Sequence, residues 1–81
     1  MYYTYVLKSE IDRKFYIGYS SDLKSRIKEH TNGEVEATKL RRPLTLVYYE
    51  ACLNKKCAIA REKYFKTGFG RRFLVDRILD D

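Results

Sequence analysis

Two runs near the start of the chain decide the fold: Tyr2-Tyr3-Thr4-Tyr5-Val6-Leu7-Lys8 and Phe15-Tyr16-Ile17-Gly18-Tyr19. Aromatic and β-branched residues dominate both, which suits a half-buried pleated surface. The polar stretch from Ser9 to Lys14 reads as a turn. The simplest arrangement is an antiparallel hairpin. Side chains alternate along a strand, so Tyr3 and Tyr5 share one face, and Tyr16 and Gly18 share a face of the next strand. Each tyrosine taken singly reads more readily as sheet packing than as chemistry. Gly18 stands out, because a glycine inside a strand weakens it and marks a bulge or a close backbone approach.

Outward from this hairpin, Ser20-Ser21-Asp22 supplies helix-capping side chains. Leu23, Ile27 and His30 follow at helical spacing, predicting an amphipathic helix of about ten residues closed by Asn32-Gly33. Residues 33–43 show no periodicity and read as a loop that contains Thr38, Lys39, Arg41 and Arg42 and ends at Pro43. Leu44 to Glu50 reads as a third strand, and its near-continuous apolar run predicts a central or well-covered place. Asn54 can cap a second helix, from about Lys55 to Thr67, with Gly68 as its stop. On that helix Cys57, Ala58, Ala60, Arg61, Tyr64 and Phe65 fall on one arc, with Glu62 at its margin. Gly68-Phe69-Gly70 reads as a break before a short third helix, Arg71 to Leu79, with Leu74 and Ile78 inward. The order β-β-α-β-α-α predicts an α+β fold. A three-stranded, mainly antiparallel sheet would be flanked by about three helices, with residues 1–81 as a single domain.

The bulk properties narrow the function. Seventeen basic residues against eleven acidic give a net charge of +6, which favours a polyanion such as DNA as partner. Cys52 and Cys57 have no histidine near them and read as reduced thiols. No apolar stretch approaches the ~18 residues of a membrane span, and the N-terminus does not read as a signal peptide. The expectation is a cytoplasmic protein without a membrane partner. A single histidine excludes a multi-histidine zinc site, and no phosphate-cradling glycine loop is present.

Three residues remain as carriers of chemistry. Arg26 and His30 are four apart and share a helix face. An arginine in a cleft can clamp a phosphate through two parallel hydrogen bonds, and a histidine can move a proton near neutral pH. The alternative is a solvated basic face, and the residues alone leave the two balanced. Glu62 is the sharpest candidate. Magnesium takes oxygen ligands and keeps several waters, so one carboxylate plus a substrate phosphate suffices. The alternative for Glu62 is a helical ion pair with Arg61, Lys63 or Lys66, worth only a few tenths of a kcal/mol.

In their order and spacing, these elements resemble the GIY-YIG nuclease superfamily. They are most similar to its small single-domain branch and to the N-terminal nuclease domain of the excision-repair endonuclease. Tyr3-Thr4-Tyr5 stands in the "GIY" place, and Tyr16-Ile17-Gly18 is a full "YIG". Asp22-Leu23, Arg26-Ile27 and His30 match the following helix, Arg42-Pro43-Leu44 through Glu50 the third strand, and Ala60-Arg61-Glu62-Lys63 the glutamate helix. The resemblance implies a metal-dependent DNA endonuclease, structure-selective or weakly sequence-specific, of the kind used in DNA repair. It implies one Mg2+ or Mn2+ ion held by Glu62. Tyr5 or Tyr16 would help to activate water, Arg26 would stabilise phosphate charge, and His30 would assist proton transfer, with Gly18 positioning the backbone. Lys39, Arg41, Arg42, Arg71 and Arg72 would contact nucleic-acid phosphates, which positions a substrate without reading its sequence.

The chain departs from the pattern at three places. Tyr3 and Thr4 replace the first two letters of "GIY", Tyr19 follows the "YIG" where the excision-repair relatives carry lysine, and no asparagine occurs beyond Asn54. The alternative is therefore a catalytically weak or inactive nucleic-acid-binding module that works with a partner protein. A protein-interaction domain reusing the fold is the third reading.

Overall fold

The computed structural model of the chain describes residues 1–78. Its elements run β1 (Tyr2–Ser9), β2 (Phe15–Ser20), α1 (Leu23–Thr31), β3 (Leu44–Cys52), α2 (Lys55–Phe65) and α3 (Gly68–Ile78), with one 3-10 turn at Lys39–Arg41. The three strands form one antiparallel sheet in the order β2-β1-β3. This is the α+β arrangement and element order expected from the sequence.

β1 lies in the centre, and its alternating side chains serve two layers. Val6 joins Ile17, Phe65 and Leu74 in the buried core, with Tyr48 and Phe73 packed against it, on the face covered by α2 and α3. Tyr5 points the other way, to His30 on α1. The register sets Tyr5 opposite Gly18 on β2 and opposite Tyr49 on β3. The expected central place for β3 is wrong: it is an edge strand, with Leu46 and Tyr49 exposed. Its apolar run reflects packing on one face and an uncovered groove on the other.

Side chains close the helix ends. The Asp22 carboxylate accepts from Ser25 N at 3.1 Å, and Asn54 Oδ1 accepts from Cys57 N at 2.8 Å, each satisfying an otherwise orphaned donor. Gly33 follows the α1 C-cap with φ +77°, a conformation that glycine adopts without strain.

Two expectations about the second half are corrected. Gly68-Phe69-Gly70 does not break the chain and Gly68 does not stop α2. The helix α2 ends at Phe65, and α3 already begins at Gly68. Thr67 causes the restart, since its hydroxyl accepts from Gly70 N at 3.1 Å. Gly70 then lets α3 lie directly on the end of α2: a Cβ there would fall on Tyr64 O and Phe65 Cα. Leu79, the expected end of this helix, lies outside the described residues. The arc on α2 also shifts. Cys57, Ala60 and Tyr64 are exposed, and Ala58 and Phe65 are buried. Glu62 is four residues after Ala58 and three before Phe65, so it sits within the inward face. Cys52 is buried and Cys57 exposed, both as free thiols. No described helix is long and apolar enough to cross a membrane.

The two glycines of α3 should respond oppositely to alanine. Nothing lies within 4 Å of a Cβ at Gly68, so Gly68→Ala should be neutral or stabilise by up to about 1 kcal/mol. Gly70→Ala forces backbone apart and should destabilise by about 1–3 kcal/mol. Urea midpoints of the two variants check this.

Candidate active site

An open cleft of about 630 Å³ lies between the end of the β1–β2 hairpin strands, the start of α1 and the inward face of α2. Tyr5, Tyr16, Gly18, Arg26 and Glu62 all line it. Five of the six residues singled out for catalysis or positioning thus converge on one concavity. His30, the sixth, stands behind the wall. It is 1% exposed, with Nε2 2.8 Å from Tyr5 Oη and Nδ1 2.7 Å from Thr38 Oγ1.

The cleft exists because position 18 has no side chain. A Cβ on Gly18 would meet Tyr5 Oη at 2.6 Å and Tyr5 Cζ at 2.8 Å. The Tyr5 ring is itself 1% exposed and wedged against His30, with ring centroids 5.6 Å apart, so it has nowhere to retreat. Tyr16 packs on the same imidazole at 5.2 Å but stays half-buried, with access to the cleft.

The hydrogen-bond chain Tyr5–His30–Thr38 joins three buried groups through both nitrogens of one imidazole, and the Arg26 guanidinium also reaches the Tyr5 hydroxyl. Burial lowers the His30 pKa, and the positive charge of Arg26 lowers it further while Glu29 opposes both. Burial raises the Tyr5 pKa, partly offset by the Arg26 guanidinium. Tyr5 is thereby a proton-keeping donor at neutral pH.

The charged residues are held from behind. Arg26 pairs with Glu29 at 2.8 Å. Glu62 has 19% of its side chain exposed and a long 3.4 Å contact to the exposed Lys66, so its carboxylate is available to the cleft. Thr4 Oγ1 donates to Ala58 O at 2.8 Å, clamping β1 to the helical turn that precedes Glu62. Arg61 next to it donates two hydrogen bonds to Glu50, at 2.8 and 2.9 Å, tying α2 to β3.

A divalent ion fits this donor set. Among the described residues no group of three or more His, Cys, Asp or Glu could enclose a metal. The other cleft carboxylates are engaged, Asp22 as the α1 cap and Glu29 by Arg26. One available carboxylate in an open cleft suits an oxygen-seeking ion that keeps waters and shares a phosphate.

The sequence-predicted nucleic-acid contacts lie elsewhere. Arg41 is bound to Asp12 at 2.8 Å, and this pair holds the Asp12 carboxyl at about 2. Arg42 donates to Lys39 O at 3.0 Å, and its guanidinium lies over Gly33. Lys39 pairs with Glu36 at 3.0 Å. Arg71 lines a small groove with Lys8 and Lys14, and Arg72 lies beside Phe69. Sequence reasoning missed Thr38 and the structural duty of Thr4, which no spacing pattern marks. It also missed Tyr19, Ser20 and Ser25 as cleft residues, although the capping run around them was visible.

Comparison with known proteins accords with this geometry. The GIY-YIG catalytic domain matches residues 1–73. The chain is 39% identical over 66 residues to UPF0213 protein YazA of Bacillus subtilis, covering 80% of this chain and 66% of that one. It is 43% identical over 67 residues to a UPF0213 protein of Clostridium perfringens, covering 82% and 71%. The solution structure of UPF0213 protein BH0048 from Bacillus halodurans superposes with a TM-score of 0.58 at 32% identity, covering 94% of this chain and 84% of that one.

The buried imidazole makes a pH prediction. The His30 pKa is lowered from its ordinary 6.5, so below about that pH the unfolded chain binds the extra proton and the folded one resists it. Stability is full above that value and falls as pH drops from about 7 towards 5. Thermal midpoints of the parent should fall across this window, whereas those of His30→Gln should stay flatter. Equal slopes would contradict the assignment.

Proposed function

The chain belongs to the GIY-YIG catalytic domain family, a branch of the nuclease superfamily, and from that premise we propose that it is a divalent-metal-dependent endonuclease acting on DNA. The observation that carries this reading is convergence. Two phenols, one guanidinium and one available carboxylate, drawn from β1, β2, α1 and α2, face one open cleft.

Each group has work that its surroundings suit. Arg26 meets the scissile phosphate with two parallel donors and offsets the charge that grows on it in the transition state. Tyr5 adds a hydroxyl at the cleft floor, and burial keeps it protonated. Tyr16, accessible in the same cleft, is placed to hydrogen-bond the attacking water and hold it against the phosphate. Glu62 would hold a Mg2+ or Mn2+ ion, which when bound supplies Lewis-acid stabilisation of phosphate oxygens. His30 touches no substrate and positions Tyr5.

A second reading has one specific observation behind it. No asparagine follows Asn54 among residues 55–81, where the resemblance leads one to expect an asparagine after the glutamate helix. A catalytically weak module that binds nucleic acid beside a partner protein would keep the cleft and lose turnover.

Cleavage assays with Mg2+ or Mn2+ on plasmid, single-stranded and branched DNA separate the readings. The parent should cut. Glu62→Gln and Tyr16→Phe should each lose about 10²–10⁴-fold in rate, and Tyr5→Phe should lose less than Tyr16→Phe. Salt-dependent binding with no cutting on any substrate would favour the second reading.

A further inference from the structure

A second groove, of about 640 Å³, opens beside the cleft and shares Asp22 with it. Its walls are Tyr3 and Tyr49 on the sheet, Leu46 on the same edge strand, and Leu23, Lys24 and Ile27 on α1. The helix covers β1 and leaves the outer strand bare, so Tyr49 is 52% exposed and Leu46 36% exposed. The rings of Tyr3 and Tyr49 stand edge to face, with centroids 6.3 Å apart and planes at 61°. Tyr49 is exposed and Tyr3 half-buried, and the mechanism proposed for the cleft uses neither.

We propose that this groove is a nucleobase-stacking subsite, which makes an unpaired strand the substrate that the enzyme prefers. The inference rests on the reading of the cleft as a phosphodiester site, and three observations support it. Tyr3 is two residues from Tyr5 on one strand face, a separation of about 7 Å, the scale of one extended nucleotide. A phosphate held at Tyr5 therefore presents its neighbouring base to Tyr3 and Tyr49. The chemistry of the walls matches a base, since two phenol rings and three aliphatic side chains give a flat, sequence-tolerant surface. Lys24 at the rim is exposed and can meet the next phosphate of the same strand. The one carboxylate present, Asp22, is turned to its helix-capping bond with Ser25 N. Bases inside a duplex have both faces stacked and cannot enter such a groove unless extruded, whereas a single strand enters freely.

Binding in EDTA tests the groove without requiring cleavage. Fluorescence anisotropy would follow labelled oligothymidylate and a labelled blunt duplex of equal length. Tyr49→Ala should weaken oligothymidylate binding about tenfold and leave duplex binding unchanged, and Tyr49→Phe should retain both. Leu46→Glu, which puts a charge on the same wall three residues from Tyr49, should repeat the loss. An oligonucleotide of abasic units should bind parent and Tyr49→Ala equally. Equal loss on single strand and duplex, or no loss on either, would overturn the proposal. So would a dimer in sedimentation that Tyr49→Ala dissociates, since a second copy would then occupy the groove. Failure of the parent to cut DNA would count against the cleft mechanism while leaving this single-strand difference to stand or fall by itself.

Discussion

The Tyr5 hydroxyl occupies the space that a side chain at position 18 would fill, and most of the site follows from that one constraint. Because Gly18 has no Cβ, the phenol crosses from β1 to the neighbouring strand. Because the phenol is fixed there, it needs a hydrogen-bond partner, and His30 supplies one from α1 at 2.8 Å. The imidazole is as buried as the phenol, so it too needs a second partner, and the loop delivers Thr38 at 2.7 Å. A chain of three buried, hydrogen-bonded groups thus links the central strand, the first helix and the residue that precedes the 3-10 turn. A polar network that is fully satisfied rigidifies its surroundings, whereas a half-satisfied one is costly.

The sheet makes this arrangement possible by using both faces of β1. Val6 and its neighbours build an apolar core with α2 and α3, which supplies the burial that holds a chain this short together. Tyr5 on the opposite face is then free to serve the cleft. Thr4, next to Tyr5 in sequence and on the Val6 face, meets α2 and fixes the turn before Glu62 through the Ala58 carbonyl. Three consecutive residues therefore set the floor of the cleft, the placement of the acidic helix and the core.

Much of this was legible in the sequence. The aromatic and β-branched runs on either side of the polar stretch Ser9 to Lys14 marked the hairpin, and the spacing of Arg26 and His30 a shared helix face. The anomalous Gly18 pointed at a close approach, although its partner could not be named. Three features were hidden for physical reasons. The edge position of β3 was masked because Leu46 and Tyr49 face an open groove, and an apolar residue reads alike whether covered or bare. The α3 start was masked because Gly70 serves helix contact, while glycines in sequence read as breaks. Thr38 lies in an aperiodic loop, where no pattern signals that its hydroxyl meets a histidine eight residues earlier. Arg41 and Arg42, expected among the phosphate contacts, also donate to Asp12 and to the Lys39 carbonyl.

The central claim is that metal and phosphate meet in the cleft walled by Tyr16, Gly18, Arg26 and Glu62. Paramagnetic broadening measures this directly. In amide-resolved NMR spectra of the isotope-labelled protein, substoichiometric Mn2+ should first broaden the signals of Glu62, Gly18 and Tyr16 and their neighbours, and Glu62→Gln should abolish that pattern. Broadening centred on other acidic residues, such as Asp12 or Glu36, or broadening that persists unchanged in Glu62→Gln, would contradict the account.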